Sequence, residues 1–410
     1  MRAGRSGKAA FSVLLAATMI TNVASTMLVP LVPDLIGLFR MSAIAIGLAF
    51  TAFPFARAVV QPISGVFVDR SRRLVTLTSA SLLTIAITVT GLGFAHSGTQ
   101  VILWRLAWGG AAGIAIPAIY RLMFLLAPQA GLTPARATSR FGSAAVSGMA
   151  AGPALVWLLR QSVGFSALFV IGGFCTALSA ALLALFVRPS PLTSASQPGE
   201  TGHLERPSPG RMALLGLVTL FGLIDLINNG AYAALEPILP IYLHQLTGPA
   251  ASGLTSVLFT SGLIVFALVS AGCGRKIERF AELGIAAVAL WVAGATMLVI
   301  AASRWVAVIG ACFLLFMATQ PVLYVVNRRG VNRVPADLLG RAFGFFGLLS
   351  DLGFIGGPIV GAALFSRLGT ASFALLGVTL TAAALLCIAL RDIPDRLLVR
   401  AHREAKKEVS

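Results

Sequence analysis

Residues Gly340 to Gly361 read GRAFGFFGLLSDLGFIGGPIVG, and an earlier stretch, Arg136 to Val156, reads RATSRFGSAAVSGMAAGPALV. Gly-Pro falls at Gly152-Pro153 and again at Gly357-Pro358, a shift of 205 residues in a chain of 410. The same shift lays Gly142 on Gly347, Gly148 on Gly353 and Arg136-Ala137 on Arg341-Ala342. A shift of half the chain length means that two halves share one plan. Working outward, Asn22, Pro30 and Pro33 return as Asn229, Pro237 and Pro240 with a shift of 207, and Pro117 and Tyr120 return as Pro321 and Tyr324 with a shift of 204.

Composition identifies the solvent. Apolar residues make up 57% of the chain, charged residues 11%, and mean hydropathy is +0.91. Charge is typically about a quarter of a soluble domain, so this is an integral membrane protein. Parallel repeats in so apolar a chain point to transport, with a substrate site between two related halves. A net charge of +17 suggests nucleic acid in a soluble chain. Here the cations sit in short loops, where they report topology, and no nucleic acid is expected. Cys175, Cys273, Cys312 and Cys387 lack metal-ligand spacing and read as reduced packing residues. No metal or other cofactor is expected.

A helical span needs about 20 apolar residues. The hydropathy predicts twelve, near 11 to 38, 43 to 68, 74 to 95, 100 to 126, 140 to 160, 165 to 187, 212 to 243, 252 to 273, 281 to 302, 305 to 327, 340 to 366 and 371 to 391. The fold class is all-α, two pseudo-symmetric six-helix bundles. The divisions are a first bundle over 1–187, a linker over 188–211, a second bundle over 212–391 and a tail over 392–410. The linker, PSPLTSASQPGETGHLERPSP from Pro189 to Pro209, is too polar to span and too rich in Pro, Ser and Gly to pack. Of the 31 cations, Arg57, Arg105 and Arg121 lie inside spans, and only Arg40, Arg160, Arg304 and Arg367 fall in one set of alternate loops. The other 24 share the opposite side, which places both termini in the cytoplasm of a bacterial inner membrane. The tail from Asp392 reads as a solvated end, although its charge and periodicity also allow a short surface helix near lipid head groups.

After the second span, Gly65-Val-Phe-Val-Asp69-Arg70-Ser-Arg72-Arg73 resembles the signature loop of the major facilitator superfamily, G-x-x-x-D-R-x-x-R-R. A weaker echo, Gly272-Cys-Gly274-Arg275-Lys276, occupies the matching loop of the second half. Arg105-x-x-x-Gly109-x-Ala111-Ala112 is similar to the arginine motif of the family's proton-coupled members. Gly148-x-x-x-Gly152-Pro153 resembles the antiporter motif of its drug exporters, although Val156-Trp157 replaces the usual closing glycine pair. Pro30-x-x-Pro33 resembles a motif of the twelve-span exporter branch. The resemblance covers the whole chain. It implies alternating access, a monomer, and gating by Gly65, Asp69, Arg70, Arg73, Gly152, Pro153, Gly357 and Pro358, with Gly65 as a close-packing point. One departure stands out: where family members often carry an acid at the cytoplasmic end of helix four, this chain reads Leu125-Leu-Ala-Pro-Gln129.

Ionisable groups within spans are costly and mark function. In span seven Asp225, Asn229, Tyr232 and Glu236 recur at intervals of four, three and four, one face of a helix, with Asn228 beside it. Such a stripe reads as the wall of a water-filled cavity, or else as structural hydrogen bonding between helices. Span one repeats it weakly with Thr18, Asn22, Ser25 and Pro33. Proton coupling is expected from Asp225 first, with Asp351, Arg105 and Asp34 as further candidates. Substrate contacts are expected from Asn22, Arg57, Gln61, Asn229, Tyr232, Glu236, Gln320 and Tyr324. Depth, roughly 15 to 18 Å above the cytoplasmic end, allows Arg57 to meet Asp351 or Asp225, and outer-end position allows Arg105 to meet Asp34. Arg121 can snorkel and reads as structural.

The reading is a transporter that exports a small organic or amphipathic compound in exchange for protons. Proton-driven uptake is the alternative, because direction depends on coupling and not on fold. An enzyme is not expected, since no nucleophile stands beside a base and His96, His203, His244 and His402 are scattered. A scaffold without transport accounts poorly for the intramembrane charges.

Overall fold

The computed structural model describes residues 2–71, 73–187, 209–277, 281–334 and 339–399. The linker over 188–208 and the end of the tail lie outside them, as do Arg72 and the side chains of Asp69 and Arg341. The described chain is helical throughout. Helix α1 runs Arg2–Thr26 and continues through the 3₁₀ turn Val29–Leu31 into Val32–Phe39. That turn accommodates Pro30 and Pro33, which cannot donate to an α-helical ladder. Arg40 then ends the run with a left-handed φ of 49°. Helix α2 is Ala43–Arg70, α3 Leu74–Gly93 and α4 Gly98–Gln129. Ser42 and Ser97 cap α2 and α4, accepting from the amides of Ala45 at 3.2 Å and Gln100 at 3.3 Å.

The run Pro134–Phe186 is two helices merged across Gly164, whose φ of 75° only glycine adopts readily, so α5 covers 134–163 and α6 covers 165–186. Then follow α7 Pro209–Thr247, α8 Ala251–Ile277, α9 Glu282–Ala302, α10 Val306–Val331, α11 Leu339–Leu368 and α12 Ala371–Ala389. By length and composition ten stretches are membrane-crossing candidates, and two of them, of 51 and 59 residues, contain the bends at Gly164 and Gly248. Each is long enough to cross twice. Large apolar side chains face outward, among them Phe67, Ile87, Phe174, Leu185 and Leu268, as a lipid solvent demands.

By proximity the chain falls into two compact units that do not follow the sequence halves. The first is Met1–Thr193 with Leu235–Ala267 and Pro358–Ser366, and the second is Ser194–Ala234, Leu268–Gly357 and Arg367–Ser410. Helices α7, α8 and α11 are therefore each divided, at Leu235, at Leu268 and at Pro358. In the first unit α5 lies directly on α1: a Cβ on Gly148 would stand 2.0 Å from Met19 O and one on Gly152 would stand 2.4 Å from Val23 O. Thr26 Oγ1 donates to Met149 O across this seam at 2.6 Å. In the second unit the repeat builds the same seam between α11 and α7, with Gly353 against Leu226 O at 2.5 Å and Gly357 against Gly230 O at 2.4 Å. Small residues thus let backbones touch where lipid supplies no hydrophobic drive.

Gly65 differs from expectation. A Cβ there would meet nothing within 4 Å, so it is not a close-packing point among the described residues. Contact between α2 and α4 is made further up, at Gly109 on Phe53 O, at Gly113 on Val60, and by Ser64 Oγ donating to Gly113 O at 2.6 Å.

Candidate functional site

The second unit holds a continuous polar cluster in an apolar interior. Asp225, 3% exposed, stands on α7. Its Oδ2 accepts from Asn229 Nδ2 at 3.0 Å, one helical turn along, and its Oδ1 accepts from Asn327 Nδ2 of α10 at 3.0 Å. Asn229 Nδ2 also donates to Ser350 Oγ of α11 at 2.8 Å. Beside this, Asn228 and Gln320 pair reciprocally: Asn228 Nδ2 donates to Gln320 Oε1 at 2.8 Å and Gln320 Nε2 donates back to Asn228 Oδ1 at 3.3 Å. One acid is thus held by neutral amides from two helices. A buried carboxylate is costly unless hydrogen-bonded, and two donors answer that need here. Tyr232, on the same face, packs edge-on against Phe354 with centroids 6.3 Å apart. Asp225 and Asn228 are buried, whereas Asn229, Tyr232 and Glu236 of the same helix are partly exposed.

Residues alike in sequence behave differently in the first unit. Thr18, which the 207-residue shift lays on Asp225, donates to Leu14 O at 2.8 Å. Asn22 donates to Thr18 O at 2.8 Å and Ser25 to Asn22 O at 2.6 Å. The α1 stripe is spent on its own helix, whereas the α7 stripe reaches α10 and α11.

Arg105 of α4 is 5% exposed in an aromatic box, its guanidinium carbon 5.6, 5.1 and 5.2 Å from the rings of Phe50, Phe53 and Trp108. Its Nε donates to Ala49 O at 3.1 Å. Ring quadrupoles contribute about 2 kcal/mol to a desolvated cation, and the carboxylate acting on it electrostatically is Glu236. The expected partnership with Asp34 is therefore replaced. Asp34, 7% exposed, is gripped by the Arg160 guanidinium through both oxygens, with Nε to Oδ2 at 3.1 Å and the second nitrogen on Oδ1. The end of α5 folds back over the end of α1, which brings Arg160 closer than α4 can bring Arg105. Arg57 lies in the first unit with its guanidinium 5.9 Å from the Phe53 ring, and Asp351 lies in the second. Gln61 is half-buried on α2, and Tyr324 on α10 carries the Arg328 guanidinium 3.4 Å above its ring. Arg121 donates to the Val68 carbonyl and, at 3.3 Å, to Ser71 O, capping the C-terminal end of α2.

Of the residues singled out by sequence, the fold joins Asp225 to Asn229, places Glu236 within electrostatic range of Arg105, and lodges Gly152 and Gly357 in seams between neighbouring helices. Arg70 and Arg73 are exposed, and Pro153 and Pro358 are buried beside their glycines. Sequence reading missed Asn327 and Ser350. Asn327 adjoins Arg328 at the limit of the tenth span, where loop cations mask a polar core residue; Ser350 is unremarkable in composition and gains its meaning from Asn229.

The sequence model of the Major Facilitator Superfamily matches residues 14–329. Among curated proteins, a multi-drug resistance efflux pump PmrA homolog of Lactococcus lactis subsp. lactis (strain IL1403) is 27% identical over 327 residues, 78% of each chain. The multidrug resistance protein MdtG of Enterobacter lignolyticus (strain SCF1) is 26% identical over 362 residues, 85% of this chain and 84% of that one. Among solved structures, the nucleoside transporter NupG superposes with a TM-score of 0.75 at 12% identity, covering 93% of this chain and 99% of its own. With repeated halves, membrane-length helices and a family match over more than half its length, the chain belongs to the Major Facilitator Superfamily.

Proposed function

We propose that this transporter exports small organic or amphipathic compounds in exchange for protons, and that Asp225 carries the proton. The observation behind this reading is the asymmetry between repeats: an acid with amide partners alone among the described residues, where the equivalent Thr18 merely satisfies its own helix. A buried acid whose surroundings change as access alternates can take up a proton on one side and release it on the other. Efflux is the activity named for the Lactococcus lactis relative, and multidrug resistance for the Enterobacter lignolyticus one. Asp34, fixed by Arg160, serves structure, and Glu236 and Arg105 form an outer electrostatic pair. Aromatic groups such as Tyr232 and Tyr324, with Asn22, Asn229, Gln61, Gln320 and Arg57, supply substrate contacts.

Proteoliposomes with an imposed pH gradient test the reading. Asp225→Asn, a mimic of the protonated form, exchanges substrate at near the wild-type rate and fails to concentrate it. Uphill pumping by that variant would remove Asp225 from the coupling role. Accumulation in the wild type on the side toward which protons flow, in place of the side from which they flow, would make the protein an uptake symporter.

A further inference from the structure

We infer that Asn327 is the positioning residue of the proton site, an amide that serves Asp225 in both of its protonation states. This rests on the reading of Asp225 as proton carrier.

Asn327 is wholly buried, 0% exposed. Its Nδ2 donates to Asp225 Oδ1, while its own Oδ1 is buried without a hydrogen-bond partner. Buried polar atoms are nearly always satisfied, and one left over in a native interior calls for an explanation. Protonation of Asp225 supplies one. A carboxylate offers only acceptors, and the two amide donors of Asn327 and Asn229 meet them. A carboxylic acid keeps one acceptor and gains one O–H donor. Oδ2 still accepts from Asn229, but a proton on Oδ1 faces the Nδ2–H of Asn327, donor against donor.

Turning the Asn327 amide by half a rotation about its last torsion removes the conflict. Its oxygen then accepts from the new O–H, and its nitrogen takes the unpartnered place. Each state leaves one Asn327 atom unsatisfied, so neither is trapped and the proton can arrive and depart. Asn229 does not turn, because Ser350 Oγ holds the same nitrogen at 2.8 Å. Leucine at position 327 offers neither a donor nor an acceptor, and a serine hydroxyl, one bond shorter than the amide, falls short of the Asp225 oxygen.

The charged groups on the packed elements are few. On α10, Arg328 lies over the rings of Tyr324 and Phe346 and Arg329 pairs with Glu282 at 3.2 Å; α11 carries Arg341, Asp351 and Arg367, of which Asp351 follows Ser350; α7 carries Arg211 and Glu236 besides Asp225. The amide is thus the nearest group able to respond.

Infrared difference spectra of the purified protein, titrated with pH, read the acid directly through its carboxylic C=O band. That band is expected in wild type and absent in Asp225→Asn; a band unchanged in Asp225→Asn would sink the proton-carrier reading itself. Given the band, Asn327→Leu strips the carboxylate of a charge-assisted donor, which costs the ionised form more than the acid. The band and the pH profile of exchange then move together toward alkaline pH by about one unit or more. Asn327→Gln, which keeps the amide, restores much of the wild-type profile. If Asn327→Leu leaves band and profile where they were while Asp225→Asn abolishes the band, Asn327 is structural only. A Leu variant that does not fold shifts the decision to Asn327→Gln and Asn327→Ser. The inference then requires serine to move the profile and glutamine not to.

Discussion

At the scale of single residues, what separates the two repeats is which side chains reach beyond their own helix. Thr18 and Asp225 occupy equivalent places, yet the first ends on a carbonyl of its own helix and the second draws in Asn327 from α10. Glycines can be sorted just as finely. Gly148 has backbone oxygen 2.0 Å from where a Cβ would stand, whereas Gly142, on the same helix, has nothing within 4 Å. Gly148→Ala therefore forces α1 and α5 apart and costs about 1 to 3 kcal/mol, read as a fall in midpoint temperature in detergent. Gly142→Ala leaves that temperature unchanged or slightly raised through helix propensity. Equal midpoints for the two variants would show that the seam relaxes freely. Arg160→Ala should be worse than its half-exposed position suggests, because it strands the buried Asp34 carboxylate. Adding Asp34→Asn should return part of the loss, and strictly additive losses in thermal stability would refute the pair.

At the scale of elements, hydropathy located the helices because a lipid solvent writes a long, uniform signal, and α8, α9 and α12 begin within a residue of the expected starts. Position within a helix was legible where the pattern is periodic, as in the α7 stripe. It was illegible where a residue's meaning depends on another helix: Asn327, Ser350 and the Arg160 grip on Asp34 have no local signature. The tail shows the same limit. Residues 393–399 are helical, the alternative to the solvated end expected, and belong to the second unit, with Leu397 beside Gly216 and Asp395 paired with Arg333. Arg333 also reaches Glu282 at 3.5 Å, and Arg329 reaches it at 3.2 Å. These two links differ in weight. Asp395 is 72% exposed, so Asp395→Ala should cost less than about 1 kcal/mol. Glu282 is buried and answers two guanidinium groups, so Glu282→Ala should lower thermal stability several times more. The reverse order would mean that the tail helix holds the start of α9 and the end of α10 together.

At the scale of the whole molecule, the sequence halves and the compact units disagree, and the disagreement lies in α7, α8 and α11. Beyond Leu235 and Pro358 α7 and α11 join the unit that contains the first six. The contact that marks this is Gly47 of α2: a Cβ there would stand 2.6 Å from Ala362 Cβ, 2.7 Å from Pro358 O and 3.2 Å from Ile359 Cα. Such distances leave no room for a side chain. Because the partner is backbone and a short alanine, no flexible tip can swing aside. In the proposed alternating-access cycle these parts of α2 and α11 separate and meet again, so a leucine at position 47 should hold them apart. In a background with the native cysteines replaced, Gly47→Leu should raise the reactivity of Ala362→Cys toward an impermeant thiol reagent in intact cells. It should also cut transport tenfold or more while leaving substrate binding within a few-fold of normal. Ordinary reactivity with undiminished transport would mean that α2 and α11 need not approach this closely in the working cycle.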